Sequence, residues 1–369
     1  GYTESGTCGY QTQFLETYDC RACEVGFEHS DFDDSDWANA SICAYDDHTV
    51  TAQKSAMLVF EHIAPVQTKV EGNRVLLDFG ATYVGYLDAV ACGNAGDEIV
   101  VRCGQELNED GTVRYALRAN CVYEEKWILG EGESRLCWFD YKAFRYAELI
   151  LPGGACFKSA TLRARHYPFT LKTALKPAYA QNEQLRRIWE LCVKTQKYGV
   201  QEVIQDCMER EKGYYLGDGC YSLFTFCLLT QNYTLLEKFF DDFLRTNFIN
   251  RGLMTCSNCS FMQEIAEYPL MLISLILWHY RVCRDREYLA KNYPGIRALL
   301  DSYRTDYEKD GLLRDLDKWC VVEWPANFRD GYDVDITEGK VCHEAHVSIN
   351  AYYISAIRTA NRMAAALGT

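Results

Sequence analysis

Asp206, Glu211 and Asp218 stand five and seven residues apart in the run Gln205-Asp206-Cys207-Met208-Glu209-Arg210-Glu211-Lys212-Gly213-Tyr214-Tyr215-Leu216-Gly217-Asp218. Arg210 sits beside the middle acid. A continuous helix would spread these carboxylates over several faces, and Gly213 and Gly217 disfavour a long helix here. A loop, or the end of a helix, can instead aim all three into one cavity. Carboxylates gathered in a pocket repel one another, so one is held protonated near neutral pH and can act as a general acid. That chemistry suits cleavage of a glycosidic bond. In an arbitrary sequence, an acidic run with Arg and Lys is more often a solvated cap or surface network. Apolar stretches on both sides (Tyr198-Gly199-Val200 and Tyr221-Ser222-Leu223-Phe224) place this run between buried elements instead.

The elements that must position the acids change character along the chain. Short β-type runs and the turn-and-strand signal Asp33-Asp34-Ser35-Asp36-Trp37 mark residues 1–65 as the remnant of a β-sandwich domain. Residues 66–172 read as a complete β-sandwich. Strand patterns lie at Arg74–Phe79, Glu98–Arg102 and Tyr146–Ile150, and turn signals at Gly93–Gly96, Glu109–Gly111 and Pro152–Gly154. From about residue 175 the apolar period becomes helical. Leu185, Ile188, Trp189 and Cys192 form one stripe, and Leu235, Leu236, Phe239, Phe240, Phe243 and Leu244 another. Further helices are expected at Pro269–Cys283 and Val347–Leu367, about six in all. The fold class is therefore multidomain β plus α, with 173–369 as the helical domain.

Size and charge narrow the partners. With 369 residues the chain exceeds one ordinary core. Its 52 acidic against 38 basic residues give −14, which opposes contact with nucleic acid or an anionic membrane. The longest apolar run, Pro269–Trp278, is too short to cross a bilayer. The high Tyr and Trp content is compatible with sugar surfaces, since these side chains offer a flat apolar face and a polar edge.

Cys192, Cys227 and Cys283 lie in apolar helical stretches as small hydrophobes, and no signal peptide is apparent, so reduced thiols and a cytoplasmic location are expected. Neither the distant pairs Cys20/Cys23 and Cys256/Cys259 nor His343-Glu344-Ala345-His346, one residue short of a zinc-protease motif, has metal-ligand spacing. No metal and no cofactor is expected.

The acidic run resembles the Asp-Cys-Pro-x-Arg-Glu-x-x-Gly-Trp-x-Gly-Asp signature of the α-L-rhamnosidases of glycoside hydrolase family 78. Met208 stands in place of Pro, Glu209 in place of a residue that is often Gln, and Tyr215 at or beside the Trp. The resemblance extends through Glu16–Asp19, Asp33–Trp37, Asp78-Phe79-Gly80 with Gly85-Tyr86, Gly93–Gly96, Glu106-Leu107 with Asp110-Gly111, and Phe144-Arg145-Tyr146, so it covers nearly the whole chain in order. It implies β-sandwich domains followed by an (α/α)6 barrel. That barrel needs twelve helices, so the chain is expected to hold its first half, as a truncated form whose exposed faces favour self-association.

The resemblance also assigns roles. Glu211 matches the general acid that protonates the departing oxygen. Asp206 and Asp218 match carboxylates that bind rhamnose hydroxyls and stabilise positive charge at the anomeric carbon. Arg210 would fix a carboxylate or a sugar hydroxyl, or simply pair with Glu211 or Asp206. Glu323-Trp324-Pro325 with Arg329-Asp330-Gly331-Tyr332 resembles a site loop in which Trp324 walls the sugar pocket, and Tyr268 would supply a second wall.

The reaction implied is inverting hydrolysis of terminal α-L-rhamnose, which needs a base roughly 6.5–9.5 Å from the acid. Glu264 and Glu267 are the internal candidates by chemistry. Acids before Pro269 also suit a helix N-terminus, so the base is expected to lie outside the chain and these 369 residues to be inactive. Two other readings remain open: another glycosidase on the same barrel, and a non-catalytic carbohydrate-binding protein.

Overall fold

The structure is a computed structural model that describes residues 2–8, 13–24, 26–43, 51–117, 121–255, 264–320 and 345–369. The chain divides into two compact units: residues 1–165 with Met208–Arg210, and residues 166–207 with 211–369.

The first unit is one curled sheet of ten strands. The strands are β1 (Tyr2–Cys8), β2 (Gln13–Asp19), β3 (Val59–Ile63), β4 (Gln67–Glu71), β5 (Arg74–Gly93), β6 (Glu98–Gly104), β7 (Glu124–Ile128), β8 (Gly132–Arg135), β9 (Lys142–Ile150) and β10 (Cys156–His166). They run β1-β2-β7-β6-β9-β5-β10-β3, with β4 and β8 also pairing β5. The strands expected at 74–79, 98–102 and 146–150 fall inside β5, β6 and β9. The sandwich character comes from the 20 residues of β5. Its first part pairs β4 and β9, its last part β10 and β8, and the register with β9 slips between Asp78 and Tyr83. Such an irregularity bends a strand and raises its twist, so one strand serves both walls of the core.

Alternation along β5 buries Val75, Leu77, Phe79, Leu87, Ala89 and Ala91 against Trp127, Phe144 and Leu162. Lys142 is fully buried with Glu125 at 2.8 Å and lies 4.6 Å from the Trp138 ring centroid, so its charge is both paired and face-stacked. Gly85 is fixed by packing: a Cβ there would sit 2.2 Å from the Arg163 carbonyl oxygen. The Asp33–Trp37 signal forms a turn, in which the Trp37 N–H donates to the Asp34 carbonyl at 2.9 Å, with no strand among the described residues 26–43.

The described residues of the second unit form seven α-helices: α1 (Pro177–Ala180), α2 (Glu183–Gly199), α3 (Leu216–Thr230), α4 (Thr234–Arg245), α5 (Tyr268–Cys283), α6 (Arg286–Tyr307) and α7 (Val347–Leu367). Two-residue strands β11 (Glu308–Lys309) and β12 (Leu312–Leu313) form a hairpin. Within the described residues the six hairpins of a full barrel are not completed.

Side-chain caps account for the starts of α2 and α6. Asn182 accepts from the Leu185 N–H ahead of α2, and Asp285 from the Tyr288 N–H ahead of α6. The expected α4 stripe is buried through Leu235, Leu236, Phe239, Phe240 and Phe243. The α2 stripe is not. Leu185 and Ile188 are 41% and 49% exposed, Trp189 is half-buried, and Cys192 is exposed rather than a core hydrophobe; the neighbouring Leu191 is 65% exposed. Amphipathic spacing specifies an apolar face but not the element that covers it. Cys227 is buried as expected. His346 caps α7, its ring Nδ1 accepting from the Ile349 N–H, while His343 and Glu344 lie outside the described residues. No described helix is long and apolar enough to cross a membrane.

Candidate active site

Asp206, Glu211 and Asp218 are brought together by a closed loop that runs into a helix. The Asp206 N–H donates to the Gly213 carbonyl at 2.8 Å, and the Gly213 N–H returns a bond to Asp206 Oδ1 at 2.8 Å. The Gln205 side-chain amide donates to the Lys212 carbonyl at 3.0 Å. Lys212 closes the turn at φ 53°, the left-handed region that a non-glycine residue rarely occupies. Glu211 sits on the lip of this loop, with its N–H directed to Cys207 Sγ at 3.3 Å.

Four residues on from Glu211, Tyr215 occupies the N-cap position of α3, which puts Asp218 in the first helical turn. The Leu216 N–H donates to the Thr255 carbonyl at 2.9 Å, tying the helix start in place. One side chain then links loop to helix: the Tyr215 hydroxyl donates to Glu211 Oε2 at 3.0 Å. The i,i+4 spacing of Glu211 and Tyr215 is the only trace of this contact in the sequence.

Tyr268, the first residue of α5, packs over the same turn. A Cβ at Gly217 would lie 2.5 Å from its ring, so glycine is the residue that lets the ring approach Asp218. Burial together with the Asp218, Glu267 and Asp206 carboxylates holds the Tyr268 hydroxyl protonated. Burial pushes the Asp206 carboxyl up to about 6, with the neighbouring Glu211 charge adding to the rise. Burial, then Glu211, also raises Asp218. Both flanking acids are thus shifted toward the protonated form. Burial is the larger cause at both, and burial is not readable from acid spacing.

Arg210 belongs to the three-residue stretch that clusters with the first unit, where its charge acts on Glu209. In that unit Gln105 bonds the Glu209 carboxylate, and the Tyr123 hydroxyl donates to the Glu209 carbonyl at 2.8 Å. Glu264 accepts from Lys318 at 2.9 Å. Glu267 is buried at the N-cap position of α5, beside Tyr268 and Tyr303. Glu323, Trp324 and the Arg329–Tyr332 segment lie outside the described residues. Among the described residues no three His, Cys, Asp or Glu side chains gather as metal ligands would.

Residues 179–369 match the family model described as the bacterial alpha-L-rhamnosidase 6 hairpin glycosidase domain, and residues 68–158 match the bacterial alpha-L-rhamnosidase concanavalin-like domain. The chain belongs to the bacterial α-L-rhamnosidase family. It is similar to an alpha-L-rhamnosidase of Streptomyces avermitilis, 30% identical over 165 residues that cover 42% of this chain and 16% of that protein.

Three solved structures share the fold. One is a Streptomyces avermitilis alpha-L-rhamnosidase complexed with L-rhamnose, with TM-score 0.72 and 24% identity, covering 96% of this chain and 33% of that one. The second is an alpha-L-rhamnosidase from Dictyoglumus thermophilum, with TM-score 0.73 and 20% identity, covering 96% and 40%. The third is a rhamnosidase from Aspergillus terreus, with TM-score 0.74 and 16% identity, covering 96% and 41%. The chain spans less than half the length of each of these relatives.

Proposed function

We propose that this stretch carries the proton-donating and sugar-binding part of an inverting α-L-rhamnosidase site, acting on terminal α-L-rhamnose of glycosides or polysaccharides. Glu211 donates the proton to the departing oxygen. Asp206 and Asp218 receive sugar hydroxyls and offset positive charge at the anomeric carbon, Arg210 fixes a carboxylate or hydroxyl, and Tyr268 and Trp324 wall the ring. The observation that carries this reading is the loop-to-helix junction: the paired Asp206–Gly213 bonds close the loop, the Tyr215 hydroxyl ties Glu211 to the start of α3, and Asp218 stands in the first turn of that helix.

The opposing base is assigned to no described residue. Glu264 is held by Lys318, and this stretch alone is proposed to turn over no rhamnoside. In a chain with a complete six-hairpin domain, Glu211→Gln should cut hydrolysis of poor leaving groups by orders of magnitude. Activated aryl rhamnosides, which need little protonation, should lose far less. Equal losses on both would remove Glu211 from the role.

A second reading gives the proton to Asp206, whose carboxyl, pushed up to about 6 chiefly by burial, keeps its proton in roughly a tenth of molecules at pH 7. It predicts that Asp206→Asn, not Glu211→Gln, shows the leaving-group dependence. Against it, Asp206 Oδ1 is already committed to the Gly213 N–H that closes the loop.

A further inference from the structure

Cys92 and Cys156 are direct partners across the antiparallel pair β5–β10, followed by Ala91 with Phe157 before the register shifts between Phe157 and Ser159. Directly opposed residues point to the same face of a sheet. Here that face is the outer one, because Leu87, Ala89 and Ala91 of β5 turn into the core. Cys156 is exposed, Cys92 is half-buried, and both are free thiols.

Opposed Cα atoms in an antiparallel ladder lie about 4.5 or about 5.5 Å apart, depending on whether the pair is hydrogen-bonded. Either value falls in the roughly 4.4–6.8 Å that a disulfide spans. The adjoining position shows how near the two chains run: a Cβ at Gly93 would stand 3.3 Å from the Cβ of Ala155. The slip beyond Phe157 leaves this end of the pairing as a short segment cut off from the regular ladder, where a covalent tie would act.

We propose that Cys92 and Cys156 form a redox-responsive dithiol that closes to a cross-strand disulfide when a small-molecule disulfide is present. The Cys156 thiolate, the more accessible, attacks the reagent disulfide. An S–S bond forms to Cys156 and one reagent thiolate leaves, taking up a proton. The Cys92 thiolate then attacks Cys156 Sγ in the mixed disulfide, forming the protein disulfide and expelling the second reagent thiol. Two protein thiols are oxidised and one reagent disulfide is reduced to two thiols. Closure staples the start of β10 to the end of β5 and constrains the long chain segment between them in the unfolded state.

The test incubates the folded protein with hydroxyethyl disulfide, alkylates the remaining thiols, digests without reduction and reads the peptides by mass spectrometry. The expected product is a Cys92–Cys156 linked peptide that disappears on reduction and raises the melting midpoint of the oxidised protein. Cys92→Ser should trap Cys156 as a stable mixed disulfide with the reagent. Recovery of Cys156 from the unsubstituted protein only as the mixed disulfide, with Cys92 still alkylated, would overturn the proposal. So would a link from Cys156 to exposed Cys137 or Cys192 in its place. Because the first experiment uses the unsubstituted protein, a variant that fails to fold leaves it decisive.

Discussion

Replacing Gly217 with alanine tests the packing that holds Tyr268 against Asp218. Two opposed effects follow from the geometry. An alanine within a helix gains up to about 1 kcal/mol over glycine, somewhat less so near the helix start. The added Cβ meets the Tyr268 ring carbons at 2.5 and 2.6 Å, closer than side chains tolerate. The α3 start cannot slide away, because the Leu216 N–H is bound to the Thr255 carbonyl. Overpacking of this kind costs about 1–3 kcal/mol, so the steric effect wins and Gly217→Ala should destabilise the helical unit by about 1 kcal/mol. In a Tyr268→Ala background the obstruction is gone, and the same substitution should stabilise by up to about 1 kcal/mol. Urea titrations followed by helical circular dichroism of the four proteins of this cycle measure both signs. Stabilisation by Gly217→Ala in the native background, or an equal loss in both backgrounds, would refute the contact as the reason for the glycine.

Other expectations follow from the same site and from the uncovered helix face. Burial raises the Asp206 carboxyl from 3.8 to about 6 in the folded protein, so its stabilising contribution is full below pH 3.8 and is lost as pH rises through about 6. Asp206→Asn should therefore flatten a fall in stability on the order of 2–3 kcal/mol across that window, and an unchanged pH profile of the urea midpoint would count against the burial. L-rhamnose titrated calorimetrically into the chain should bind at least about tenfold more weakly to Asp218→Asn, whereas equal affinity would remove Asp218 from the sugar contacts. The exposed α2 face, with Leu191 65% and Ile188 49% accessible, should drive self-association at micromolar concentrations. Ile188→Glu with Leu191→Glu should restore a monomer by light scattering; a clean unsubstituted monomer without dye-binding apolar surface would sink this expectation.

Much of the order of the fold is local, and local order is what residue patterns encode. The switch from period-two alternation to a helical stripe near residue 175 marks the β and α parts because each period follows from one element's own geometry. Val347–Leu367 and Tyr268–Cys283 end where their caps and apolar stripes end. The spacing of Asp206, Glu211 and Asp218, with glycines between, marks the segment that folds as a closed loop running into α3.

Tertiary structure decided the rest. No strand-length signal distinguishes a 20-residue β5 that serves two walls from two shorter strands, because the distinction lies in which partners its halves take. The stripe on α2 reads like that on α4, yet one is exposed and the other buried, since coverage is a property of the neighbours. Asp206 and Asp218 are shifted toward protonation chiefly by desolvation, which depends on the fold around them and not on acid spacing. Gly217 makes the division plain: the sequence supplies a residue without a side chain, and only the fold brings the ring of Tyr268, 51 positions later, into the space it leaves.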